Sequence, residues 1–264
     1  MEIIILKDHE QVSRYAFNIV SETLKKKRNA VLGMSTGKTP LRLYELMANA
    51  YKKRKISFKD VITFNLDEYI GIDGKHIGSY RSYMNKNLFL HTDINPKNIF
   101  FPDNNIKHLC SSGNEYEKKI KQKGGIDLQI LGIGENGHIG YNEPISSLSS
   151  RTRVKMLTSA TMVLNKYPFK GTKIKQPRFA MTMGIGTIME AKKIIILATG
   201  SNKEDIVAKA IEGPVTAMHP ASVLQFHNNV KFIIDEAAAK KLKLKDYYKE
   251  IQKYQKDILK KHKR

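Results

Sequence analysis

The sequence predicts an α/β protein, a mostly parallel open sheet with helices on both faces, and three observations carry the prediction. Apolar runs of strand length alternate with segments of helical period along the whole chain. Several of these runs are rich in Ile, Val or Phe with little polar alternation, as strands buried on both faces require. Stretches with chemical character follow directly after the runs, where open α/β sheets bind their ligands.

Taken in order, a strand over 3–6 (Ile3-Ile4-Ile5-Leu6) leads into a helix over 9–27, and a strand over 30–34 into a helix over 40–54. A strand over 61–66 precedes a helix over 78–90, and one over 98–101 precedes a helix over 112–123. Strands over 127–131, 179–183, 193–199 and 231–234 follow, with helices over 185–191 and 203–212 between them. No repeat, low-complexity linker or shift of composition marks a boundary, so residues 1–264 are expected to form one domain. Its end, about 237–264, reads as a lysine-rich helical tail in which Leu242, Leu244, Tyr247, Ile251, Tyr254 and Leu259 recur at helical spacing.

Apolar residues make up 41% of the chain, enough for a core, and no run approaches the roughly 20 apolar residues of a bilayer span. The start of the chain has too short an apolar run, preceded by an acid, to read as a signal segment. Cys110 is the single cysteine, which excludes an intrachain disulfide and fits a reducing compartment. A soluble, cytoplasmic protein is the expectation. The formal charge of +21 raises the question of nucleic acid, but the lysines are scattered along the chain, and such a surface equally attracts phosphate-bearing metabolites. No nucleic-acid or membrane partner is expected.

Three loops at predicted strand ends carry chemistry. After 30–34 comes Ser35-Thr36-Gly37-Lys38-Thr39-Pro40, with Pro40 suited to the first position of a helix. Backbone N–H groups, hydroxyls and a positive helix end there suit a phosphate. A nucleotide P-loop is excluded, because only three residues separate Gly33 from Gly37 where that motif has four. After 61–66 come Asp67 and Glu68, adjacent acids that could share acid/base work or cap the next turn. After 127–131 the chain reads Gly132-Ile133-Gly134-Glu135-Asn136-Gly137-His138-Ile139-Gly140-Tyr141-Asn142-Glu143-Pro144. Its glycines permit close backbone approach, His138 supplies an imidazole able to give or take a proton, and Glu143 can orient it. Gly132, Gly134 and Gly137 have the dinucleotide spacing, yet neither a following helix nor an acid about 20 residues on completes that fingerprint, so a nicotinamide cofactor is not expected. His138 and Glu143 lack the pairwise His or Cys spacing of a metal site, so no metal is predicted.

Phe64-Asn65-Leu66-Asp67-Glu68-Tyr69, the loop 132–144 and Ser149-Ser150-Arg151-Thr152-Arg153 together resemble the glucosamine-6-phosphate deaminase family, a likeness running from the first strand to about Glu236. The resemblance implies a Rossmann-like fold, a sugar-phosphate substrate, aldose-to-ketose isomerisation with loss of ammonia, and no metal or organic cofactor. A homo-oligomer, hexameric or smaller, is compatible with it. By position, Asp67 resembles the base that moves a proton between C2 and C1. His138 resembles the ring-opening residue, with Glu143 and Asn136 orienting it; some relatives have aspartate at the position of Asn136. The phosphate pattern maps onto Ser35, Thr36, Gly37, Lys38 and Thr39 and onto Lys203. Two departures stand out: Lys38 occupies a place often held by a small residue, and Tyr167 falls where many relatives have a phosphate-binding arginine, for which Lys38 or Lys166 could substitute. Relatives regulated by N-acetylglucosamine 6-phosphate use a second site that maps onto Ser146, Arg153 and Lys155. The alternatives are a related 6-phosphogluconolactonase-like lactone hydrolase and a non-catalytic sugar-phosphate sensor, the latter because fold alone does not fix function.

Overall fold

The computed structural model describes the backbone of residues 1–261 and side chains through Tyr254; residues 262–264 of the predicted tail lie outside the described residues. In chain order the elements are β1 (Glu2–Leu6), α1 (His9–Lys26), β2 (Val31–Met34), α2 (Leu41–Lys52), β3 (Ile62–Asn65), β4 (Asp67–Tyr69), α3 (Tyr80–Asn87), β5 (Ile99–Phe100) and α4 (Leu109–Gln122). There follow β6 (Leu128–Gly132), β7 (Arg153–Met156), α5 (Ser159–Leu164), β8 (Phe179–Thr182), α6 (Ile185–Met189), β9 (Ile194–Ala198), α7 (Glu204–Glu212), β10 (Val230–Asp235) and α8 (Lys245–Lys261).

Seven strands form a parallel sheet in the order β1-β10-β9-β6-β2-β3-β5. Alternate side chains of these apolar strands feed two cores, one on each face. Ile3, Val31, Leu131, Ile194, Ile196 and Phe232 point to one, and Ile4, Leu32, Ile130, Ile195, Leu197 and Ile233 to the other. This explains the missing polar alternation in the sequence. At the edge, α8 lays Gln252 against β1, where its Oε1 accepts from Ile5 N at 3.2 Å and satisfies an otherwise unpaired strand donor.

From β2 the chain builds outward through β3 and β5, then crosses back to place β6 on the other side of β2. The loops after β2 and β6 therefore diverge at a topological switch point and leave a crevice between them. A second, three-stranded antiparallel sheet, β4-β8-β7, closes one side of it. The predicted strand over 179–183 belongs here and not to the parallel sheet. Leu66 joins the two sheets, its N–H donating to Met34 O (3.0 Å) and its carbonyl accepting from Met183 N (2.7 Å). Asp67 stands where the chain passes from one sheet to the other.

Among the described residues no helix is long and apolar enough to cross a membrane.

Candidate active site

The crevice is a cleft of about 520 Å³ lined by Ser35 to Pro40, Asp67, Tyr80, residues of the loop 132–141, Lys203 and part of α5. It brings together Ser35, Thr36, Gly37, Lys38, Thr39, Asp67, His138 and Lys203, which are spread over most of the sequence. Asn136 and Glu143 stand behind His138 and do not line the cleft.

The loop after β2 is held by its carbonyls. Tyr44 Oη donates to Ser35 O (2.5 Å), Tyr83 Oη to Gly37 O (2.6 Å), and His9 Nε2 lies 3.1 Å from Thr39 O. With the carbonyls engaged, the N–H groups of Thr36 to Thr39 bond to no protein group among the described residues, and Ser35 Oγ is buried without a partner among them. Unsatisfied donors of this kind at the start of α2 suit a phosphate. Gly37 adopts φ 107°, which only glycine takes without strain. Pro40 precedes α2 as its cap and is not its first helical residue. On the opposite wall Lys203 closes the turn before α7, and burial holds its ammonium below the usual lysine range, against the opposing pull of Glu135. Tyr167 is 81% exposed and does not line the cleft. Lys166 is also outside it, whereas Lys38 lines it.

Asp67 and Glu68, adjacent on β4, point to opposite sides, as strand geometry dictates. Glu68 is taken up by structure: it accepts from Tyr69 N (2.9 Å), Ser79 Oγ (2.7 Å), Tyr80 N (3.0 Å) and Arg81 N (3.0 Å), fastening the start of α3. The two acids therefore do not share one task. Asp67 is buried yet lines the cleft. Burial, reinforced by the charge of Glu68 and opposed by the Thr182 hydroxyl, pushes its carboxyl up to about 8. Such a carboxyl exchanges its proton near neutral pH.

The glycines of the loop after β6 make room. A Cβ on Gly134 would lie 2.3–2.5 Å from three atoms of the His138 ring, so the imidazole rests on a bare backbone. A Cβ on Gly140, itself at φ 55°, would come within 3.4 Å of Asp67 Oδ2. His138 Nδ1 lies 3.4 Å from Glu143 Oε2, a charge-pairing distance without hydrogen-bond alignment. Asn136 bridges the two, its Nδ2 donating to Glu143 Oε2 (2.7 Å) and its Oδ1 accepting from His138 N (3.2 Å). Burial would raise the Glu143 carboxyl, but His138, Thr161 and Asn136 outweigh it and hold it at about 2. A permanent carboxylate beside Nδ1 favours a proton there and leaves Nε2 as the basic nitrogen.

Residues not singled out in the sequence complete the walls. Tyr80 and Tyr141 line the cleft and bond to each other through their hydroxyls; Tyr141 Oη also donates to Tyr69 Oη (2.9 Å) and accepts from Asn165 Nδ2 (3.1 Å). Burial raises all three tyrosines, keeping them neutral donors. Ser146, Arg153 and Lys155 lie outside the cleft. Arg153 is nonetheless two strands from Asp67 on one row of the small sheet, through Thr182, and its Nη1 donates to Asn142 Oδ1 (2.9 Å).

The family described as glucosamine-6-phosphate isomerases/6-phosphogluconolactonase matches residues 9–233. The chain is 51% identical over 252 residues to a glucosamine-6-phosphate deaminase of Shewanella halifaxensis (96% of this chain, 95% of the relative). It is 48% identical over 259 residues to one of Cellvibrio japonicus (98% of each). Among solved structures, a monomeric glucosamine-6-phosphate deaminase superposes with a TM-score of 0.87 at 38% identity, covering 91% of this chain and all of that one. A 6-phosphogluconolactonase from Trypanosoma brucei superposes at 0.71 with 19% identity, covering 91% and 98%, a likeness of fold alone. Sequence, fold and the arrangement of the crevice agree: this chain belongs to the glucosamine-6-phosphate isomerase/6-phosphogluconolactonase family.

Proposed function

We propose that the chain is an enzyme that converts glucosamine 6-phosphate and water into fructose 6-phosphate and ammonia. The observation that carries this reading is the buried Asp67 carboxyl, held at about 8, facing a cleft that also holds His138 and an anion cradle. The names of relatives at about half identity support it. The free N–H groups of Thr36 to Thr39, the Ser35 hydroxyl, Lys38 and Lys203 anchor the phosphate and set the sugar's carbons against Asp67. His138 Nε2 carries a proton between the ring oxygen and the anomeric hydroxyl, opening the ring, while Glu143 and Asn136 fix its tautomer. Asn136 assists by orientation alone, because an amide does not ionise. Asp67 then takes the proton from C2, the C1 carbonyl becomes the enol of an enol amine, and the same carboxyl returns the proton at C1. Water adds to the resulting C2 imine and ammonia leaves.

The whole chain acts as one unit on a soluble metabolite, and the single cysteine and lack of a spanning helix among the described residues support a cytoplasmic setting. Ser146, Arg153 and Lys155 form a second anion site, supported by the link from Arg153 through Asn142 to the His138 loop. Incubating the purified protein with glucosamine 6-phosphate and measuring ammonia and fructose 6-phosphate together tests the reaction. Equal amounts of both are expected; acid release from 6-phosphogluconolactone with no ammonia from the amino sugar would establish the lactonase instead.

A further inference from the structure

A second hollow of about 550 Å³ lies on the other side of α5, within the size range of small-ligand sites. Lys166, Lys170, Lys175 and Arg178 line it over a floor that includes Met162 and the buried Phe169, and no carboxylate does. None of these four cations is in an ion pair among the described residues. Uncompensated positive charge gathered around an apolar floor fits an organic phosphate: anionic oxygens for the lysines and the guanidinium, and an apolar or aromatic body for Met162 and Phe169.

The hollow is wired to the active site. On α5, Thr161 and Leu164 face the cleft while Ser159, Met162 and Val163 face the hollow, the split that helical spacing produces. Both ends of α5 are tied to the reaction machinery. Thr158, its cap, donates through Oγ1 to Glu143 Oε1 (3.2 Å), and Asn165 at the far end donates to Tyr141 Oη (3.1 Å).

We propose that this hollow binds a phosphate-bearing molecule with a planar apolar body, the chemistry of a nucleoside triphosphate, and that its occupancy is transmitted through α5 to Glu143 and Tyr141. The binding half stands independently of the reaction proposed above; the transmission half rests on it. Isothermal titration of the full chain with ATP, with pyrophosphate as the control lacking an apolar body, tests the binding without reference to turnover. Saturable ATP binding is expected, at least about tenfold tighter than pyrophosphate and weakened at least about tenfold in Lys170→Glu/Arg178→Glu, with the fold of this variant checked by circular dichroism. Binding should persist when excess fructose 6-phosphate fills the cleft. No saturable heat, equal affinity in the double variant, or displacement by fructose 6-phosphate would overturn the site. If ATP binds there yet leaves ammonia release at subsaturating substrate unchanged, the transmission through α5 is wrong.

Discussion

Replacing Asp67 by asparagine separates the chemical demand on this residue from its structural cost. In the folded protein its carboxyl is raised from 3.8 to about 8, by burial first and by Glu68 second. Below 3.8 the folded and unfolded chains both hold the proton, and the group has no effect on stability. Between 3.8 and about 8 the unfolded chain releases its proton while the folded chain keeps it, so stability falls as pH rises and the full penalty is present above 8. At about 1.4 kcal/mol for each pH unit the ceiling is near 6 kcal/mol. Asparagine is nearly isosteric and cannot ionise, so Asp67→Asn gains stability over the wild type as pH rises. Urea unfolding of both proteins at about pH 5 and about pH 8.5 should show this gap widening by up to about 4 kcal/mol, the part of the penalty that develops between pH 5 and 8. Over the same change kcat should fall by about a thousandfold or more with KM within a few-fold, as removal of a general base demands. A stability gap independent of pH would refute the desolvation of Asp67, and retained ammonia production would remove it as the base.

Four further substitutions probe the rest of the cleft. His138→Gln should slow turnover of the closed-ring substrate by about a hundredfold while sparing an open-chain analogue, measured by ammonia release from each; equal losses would contradict ring opening by His138. In Gly134→Ala the new methyl meets the His138 ring at 2.3–2.5 Å, so a loss of kcat comparable to His138→Gln with an unchanged melting temperature is expected. Lys203→Ala should raise KM for the phosphorylated sugar by about tenfold or more with a smaller effect on kcat, in steady-state kinetics. Glu143, held at about 2 against an ordinary 4.5, stabilises the fold above 4.5 and loses that contribution as pH falls towards 2. Acid denaturation of Glu143→Gln should accordingly be flatter across that interval.

The elements of the parallel sheet were legible because a strand covered on both faces has to be apolar throughout. Ile3 to Leu6 and Ile194 to Leu197 leave little else to read. The small sheet was not: β4 is the polar triplet Asp67–Tyr69 and β7 the half-exposed Arg153–Met156, and both become strands only by pairing with β8. The six-residue α5 escaped for a related reason, since a helix that short shows no period. Within the candidate site, the strand-end loops pointed to Ser35–Thr39 and His138, whereas Asp67 was set apart from Glu68 only by the family resemblance, because adjacent acids after a strand can equally cap the next turn. Tyr80, Asn165 and His9 carried no such signal: a tyrosine in a helix or a histidine at a helix start is ordinary until the fold turns it towards the cleft.

The sequence by itself determined the strands of the parallel sheet, most of the helices that cover them and which loops carry ionisable side chains, since periodicity and turn chemistry are local properties of the chain. Only the tertiary structure decided that Asp67 faces the cleft while Glu68 fastens α3. It alone left Tyr167 outside the cleft and gathered Lys166, Lys170, Lys175 and Arg178 around one hollow. Each of these turns on which distant segment supplies the neighbouring atoms, and burial, charge pairing and the ionisation they govern exist only once the chain has folded back on itself.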